Sequence, residues 1–259
     1  MIAKMNLMFL GDIVGPNGCD FVASKINTLK KHYAIDITVM NGENSAKGNG
    51  ISPQSADFLF NHGADIITTG NHCYKRKEIY DYFDRSDFLI RPANFPEGAP
   101  GKGVCFYDMG STSIAFVNLM GTVYMDALDN PFQKIDSILE EIDTPNIFVD
   151  FHAEATSEKK AMGLYLAGRV TGVFGTHTHV QTSDAEILKD YTAYITDTGM
   201  CGPKLSVLGV KAEPAIEKLR TRLPVKFEES DEPCFINCVI VEFDQKTGKS
   251  LAIQSQIIS

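Results

Sequence analysis

Four of the six histidines in this 259-residue chain fall in short polar segments of similar form. His177 and His179 flank Thr178 in Gly175-Thr176-His177-Thr178-His179, His72 closes Gly70-Asn71-His72, and His152 follows Phe148-Val149-Asp150-Phe151. Two histidines at i and i+2 do not share a helical face, but at a strand end entering a loop both can turn toward a pair of metal ions. Asn71 offers a neutral amide oxygen, and His72 can act as an acid or base. Asp12, after Gly11, and Glu43, in Asn41-Gly42-Glu43-Asn44, add carboxylates.

Each residue alone has an ordinary alternative. His177 and His179 could be surface loop histidines, Asn71 a helix cap after a turn permitted by Gly70, Asp12 part of a simple turn, Glu43 a solvated loop charge and His152 a satisfied core histidine. Together, Asp12, Glu43, Asn71, His152, His177 and His179 form a nitrogen and oxygen donor set without thiolate. Such a set suits Mn, Fe, Zn or Ni rather than Mg or Ca alone. Six side chains are too many for one tetrahedral site. Two cations about 3.5–4 Å apart, bridged by one carboxylate and a hydroxide, accommodate them. His32 and His62 lie near expected helix C-termini, where a cation is favourable, and read as structural.

The elements that must position these residues alternate along the chain. Strands are expected at Asn6–Leu10, Ile35–Met40, Asp65–Thr69, Ser113–Leu119, Asn146–Phe151, Val170–Phe174 and Tyr191–Ile195, from their length and β-branched content. Helices are expected at Asn17–Lys31, between an N-cap at Ser52-Pro53 and a C-cap at Gly63, and at Tyr74–Phe83, Pro131–Ile142 and Glu158–Leu166. Cys234–Phe243 and Ser250–Ile258 flank an Asp244–Gly248 turn and read as a closing hairpin. This alternation implies a layered α/β fold with a mainly parallel or mixed sheet. Asp12, Glu43, Asn71, His152 and His177 each follow a different strand, at the carboxyl end where open α/β sheets bind ligands. Residues 95–103 form a loop. Thr198–Ser230 is the most irregular stretch, expected to form a small cap or rim segment on one domain spanning residues 1–259.

Hydrophobic residues make up 44% and charged residues 22% of the chain, ordinary values for a globular core. No apolar run is long enough to cross a bilayer. Met1–Leu10 reads as a first strand rather than a signal peptide. The net charge of −9 argues against a broad grip on long nucleic acid but leaves a nucleotide substrate open. Six cysteines with no Cys-x-x-Cys pair are expected to be reduced thiols in a cytoplasm. A homo-oligomer stays open.

The order Asp12, Glu43-Asn44, Gly70-Asn71-His72, His152, Gly175-Thr176-His177-Thr178-His179 resembles the calcineurin-like metallophosphoesterase superfamily, and most closely its YmdB-like bacterial branch. The resemblance covers essentially the whole chain, through Gly11-Asp12-Ile13-Val14-Gly15, Arg91-Pro92-Ala93-Asn94-Phe95-Pro96, Asp150-Phe151-His152-Ala153-Glu154 and Thr196-Asp197-Thr198-Gly199-Met200 with Gly202-Pro203. The wider superfamily has a histidine where Val14 stands, and usually an aspartate where Glu43 stands; both departures match the YmdB-like pattern. Cys73 occupies a position where the wider superfamily often has an acid.

The resemblance implies a four-layer α/β sandwich and two transition metal ions, iron or manganese foremost and zinc as the further option. One cation would take Asp12, Glu43 and His179, with Asn44 near it; the other Glu43, Asn71, His152 and His177. It also implies a phosphodiesterase acting on 2′,3′-cyclic and in some cases 3′,5′-cyclic nucleotides. The expected mechanism is attack of a metal-bridging hydroxide on phosphorus, with His72 as general acid for the leaving ribose oxygen. The alternatives are a phosphomonoesterase (a nucleotidase or protein phosphatase) and a non-catalytic regulator that binds metal or nucleotide.

Overall fold

The computed structural model describes residues 3–259, so the first two residues of the expected Met1–Leu10 strand lie outside the described residues. The chain runs β1 (Lys4–Leu10), β2 (Asp12–Ile13), α1 (Gly15–His32), β3 (Ile37–Asn41), α2 (Pro53–Asn61), β4 (Ile66–Thr68), α3 (Tyr80–Arg85), β5 (Val104–Asp108) and β6 (Ser113–Met120). It continues through α4 (Pro131–Glu141), β7 (Ile147–His152), α5 (Thr156–Leu166), β8 (Gly172–Thr176), β9 (Glu186–Leu188) and β10 (Thr192–Ile195). β11 (Met200–Pro203), α6 (Ala212–Thr221), β12 (Cys234–Asp244) and β13 (Ser250–Ile258) complete it.

The strands form two sheets rather than one central sheet. The first has the order β2-β11-β12-β1-β3-β4, with β13 against β12; the second has β5-β6-β7-β8-β10-β9. The parallel pairs β1–β3–β4 and β6–β7–β8–β10 direct their carboxyl ends to the same rim of each sheet. The alternation of side chains along each strand sorts the core into three seams. On β1, Met8 and Leu10 pack toward α1 and α2, while Met5, Leu7 and Phe9 face the second sheet. On β7, Phe148 points into the seam between the sheets, with its ring centroid 5.2 Å from that of Phe243, while Val149 and Phe151 pack with α4 and α5. Helix, sheet, sheet and helix therefore stack as the expected four layers.

Local chemistry sets the helix ends. The Ser52 side chain accepts from the Ser55 backbone N–H, Pro53 occupies the first turn, and Gly63 takes φ +102° beyond the end of α2. The expected helix at Tyr74–Phe83 is displaced: a 3₁₀ turn occupies Lys77–Ile79, and α3 covers Tyr80–Arg85. Residues 71–76 are drawn out of helical geometry by contacts from their own side chains. Asn71 and His72 turn to the strand-end cluster, and Arg76 donates to the Asn49 carbonyl. Thr198–Ser230 is less irregular than expected, because Met200–Pro203 pairs with β2 and β12, and α6 follows. The closing hairpin forms as expected.

Candidate metal centre and the cleft above it

β1, β3, β4, β7 and β8 deliver Asp12, Glu43, Asn71, His152 and His177 to one place. The His152 Nε2 lies 2.9 Å from Asn71 Oδ1, 3.2 Å from Glu43 Oε1 and 3.1 Å from His177 Nδ1. Donors about 2.1 Å from one cation and at right angles to one another lie roughly 3 Å apart, so these four atoms have the spacing of a coordination shell. A second group adjoins the first. His179 Nε2 is 3.6 Å from Asp12 Oδ1, a buried oxygen with no hydrogen-bond partner. Buried oxygens are rarely left unpaired without a reason, and a cation is a chemically apt one.

The free nitrogen of each histidine is tied down, as it is in metal sites. His152 Nδ1 contacts Thr176 Oγ1, which donates to Asp150 Oδ1 at 2.7 Å. His177 Nε2 faces Glu154 Oε2 at 3.0 Å, and His179 Nδ1 faces the Leu208 carbonyl at 3.3 Å. The donor set therefore fits a pair of cations. His177 and His179 hold φ of +98° and +63°, a region non-glycine residues seldom occupy. Between them, Thr178 donates through N and Oγ1 to Asp197 Oδ2, and the buried Lys159 ammonium lies 2.6 Å from the same oxygen. Asp197 thus anchors the strained turn.

Without cations, the charges answer one another. Burial raises the Asp12 carboxyl, but the neighbouring His179 outweighs it, and the net shift is downward. Burial likewise opposes ionisation of Glu43, yet His152 and His72 hold it well below the usual range. Burial alone would lower His152; Glu43, then Asp12 and Asp150, push it up to about 9. Asp150 is pushed up to about 7, chiefly by burial. His177 is lowered by burial and by the charge on His152.

Asn44 and His72 lie at the edge of this cluster. Asn44 Oδ1 is 2.9 Å from His72 Nδ1, and its amide nitrogen donates to Glu43 Oε1 and faces His179. The oxygen that could serve a cation is thus engaged by His72. His72 lines a cleft of about 550 Å³ together with Glu43, Asn44, Glu154, His177 and His179. Leu208, Gly209, Val210, Phe227 and Glu229, from the segment expected to form a rim, also line it.

Residues 8–256 match the family described as YmdB-like protein. The chain belongs to this family, and so to the metallophosphoesterase superfamily. Among YmdB-like relatives, a Bacillus subtilis 2′,3′-cyclic-nucleotide 2′-phosphodiesterase is 44% identical over 98% of this chain and 97% of its own. A Mycoplasma pneumoniae phosphatase of known structure superposes with a TM-score of 0.95 at 34% identity, covering 100% of this chain and 94% of that one. A Thermus thermophilus protein superposes with a TM-score of 0.92 at 37% identity, covering 98% of both chains.

All seven residues expected to bind metal, and His72, come together. Spacing did not single out the supporting residues Thr176, Asp197, Lys159 and Glu154. Asp197 and Glu154 stood inside the YmdB-like motifs, while Lys159 lies on α5 and carried no local signal.

Proposed function

We infer that this YmdB-like protein is a dinuclear metal-dependent phosphodiesterase that hydrolyses 2′,3′-cyclic nucleotides. One observation carries the reading: His152, His177, Glu43 and Asn71 converge at coordination spacing beside an unpartnered Asp12 oxygen, under a cleft lined by His72. The name and 44% identity of the Bacillus subtilis relative support the substrate class. Asp12, Glu43 and His179 would hold one cation, with Asn44 beside it, and Glu43, Asn71, His152 and His177 the other. The metal would be iron or manganese, or else zinc. Two such cations supply water of lowered pKa and offset the charge on the phosphate.

The protein's own residues do the remaining work. Asp197 and Glu154 fix the His177-Thr178-His179 turn, and Thr176 orients His152. Asn44 Oδ1 accepts from His72 Nδ1 and Asn49 Nδ2 donates to His72 Nε2, so to act as general acid His72 would take up a proton at Nε2, exchange Asn49 for the departing ribose oxygen and donate to it. Among the described residues no helix is long and apolar enough to cross a membrane. All six cysteines are free and five are buried, which supports reduced thiols and a cytoplasmic location.

The Mycoplasma pneumoniae phosphatase favours a second reading, a phosphomonoesterase. Turnover of 2′,3′-cyclic nucleotides, 3′,5′-cyclic nucleotides, p-nitrophenyl phosphate and bis-p-nitrophenyl phosphate by metal-loaded protein separates the two. Preference for the cyclic diesters is expected; hydrolysis of monoesters alone would replace the proposal with the second reading.

A further inference from the structure

The wall of the cleft is mixed in character. One part is polar: Glu43, His72, Glu154, His177 and His179. Another part is apolar, formed by Val14, Leu208, Val210 and Phe227. The two parts meet at a contact, since His179 Nδ1 lies 3.3 Å from the Leu208 carbonyl. Phe227 is 45% exposed and Leu208 49% exposed, although both bound a cleft rather than an open surface.

The apolar part is held in place. Residues 209–211 and 228–230 form a short antiparallel ribbon: Ser230 N donates to Gly209 O, and Lys211 N to Glu228 O, both at 2.9 Å. Phe227 and Glu229 are two residues apart in this extended stretch, so their side chains share a face. Glu229 Oε1 accepts from the Gly48 backbone N–H at 2.5 Å, which fastens that face against the cleft. Lys218, which is not part of the cleft wall, lies 4.7 Å from the Phe227 ring centroid and supports the ring from outside.

We propose that Phe227, with Leu208 and Val210, forms the nucleobase platform of this cleft: the cyclic phosphate lies over the metal centre and the base stacks on the Phe227 ring. This rests on the cyclic-nucleotide reading above. A cleft of about 550 Å³ has room for a nucleotide. The Phe227, Leu208 and Val210 side chains carry no hydrogen-bonding group, and stacking on an aromatic ring accepts any base. The platform therefore confers a preference for nucleotides over base-free phosphates, with little choice among bases.

The test compares two substrates in metal-loaded protein: 2′,3′-cyclic AMP, and methyl riboside 2,3-cyclic phosphate, which has the same ring and no base. Wild-type protein is expected to show a lower KM for the nucleotide. Phe227→Ala should shrink that KM advantage by about 5- to 150-fold, the usual range for one base stacked on one aromatic ring. Phe227→Tyr should retain it, which separates loss of the ring from loss of the fold. An advantage that survives Phe227→Ala, or one absent from wild-type protein, would overturn the platform and leave the hydrolase reading standing. Wild-type protein inert on both compounds would overturn the hydrolase reading and the platform with it.

Discussion

The His152 ring lies so close to the Gly70 backbone that a Cβ on Gly70 would come within 2.2 Å of His152 Cδ2 and 2.3 Å of its Nε2. The glycine before Asn71 is thus required by the approach of a histidine from the other sheet, and not by a left-handed turn. Gly70→Ala should force His152 from its place, costing about 1–3 kcal/mol of stability as an overpacked site does. It should also lower metal content. Elemental analysis with urea denaturation checks both; full metal occupancy in this variant would remove the packing argument.

Glu43 contacts both donor groups, through His152 and through Asn44 beside His179. Asp12 faces His179 and the His177 backbone. Glu43→Ala is therefore expected to lower total metal below that of Asp12→Ala, starting from close to two ions per chain. Equal, small losses would show that Glu43 is not shared.

His72 Nδ1 engages Asn44 Oδ1 at 2.9 Å and lies 3.4 Å from Glu43 Oε1, while its Nε2 faces Asn49. His72→Ala should keep both metals and lower kcat by roughly 10²–10⁴ for ribose esters, the usual contribution of a general acid. The loss should be smaller for p-nitrophenyl esters, whose leaving group departs without a proton. Loss of metal would recast His72 as a ligand; wild-type rates on cyclic nucleotides would remove it from the chemistry.

Asp197 and Lys159 are both buried, and Asp197→Ala leaves the ammonium without its partner and Thr178 without its acceptor. We expect a loss of about 3–5 kcal/mol, as for a broken buried pair. Asp197→Asn retains an acceptor for Thr178 and should lose less metal than Asp197→Ala. Chemical denaturation and metal analysis of the two variants decide this, and identical metal loss in both would count against an anchoring role.

In the metal-free protein His152 holds its proton up to about pH 9, because Glu43, Asp12 and Asp150 outweigh the effect of burial. A ligand must be deprotonated to bind, so protons compete with metal below that value. Metal affinity should therefore rise with pH from 6 to 9, and uptake at pH 7 should release a proton that uptake above pH 9 does not. Calorimetry in buffers of different ionisation enthalpy measures the release; affinity independent of pH would contradict it.

The local sequence carried much of this. Runs such as Ile37–Met40, apolar but for Thr38, and Val173–Phe174 end in polar residues, which marks them as buried strands ending at a site. The ligand types, the Ser52-Pro53 cap and the closing hairpin depend on neighbours within a few residues and were legible for that reason. The partition into two sheets was not legible from periodicity, since a strand buried on both faces reads the same in either sheet; it came from the resemblance. Residues 71–85 show where the local reading misled: Tyr74–Phe83 reads as one helix, but contacts to Asn49 and to the donor cluster hold the first half out of a helix. Pairing of β11 with β2, the seating of His152 on Gly70 and the reach of Lys159 to Asp197 join segments far apart in sequence. Only the tertiary structure decided these, because the energy of a close approach or a buried ion pair belongs to both partners, and neither local sequence records the other.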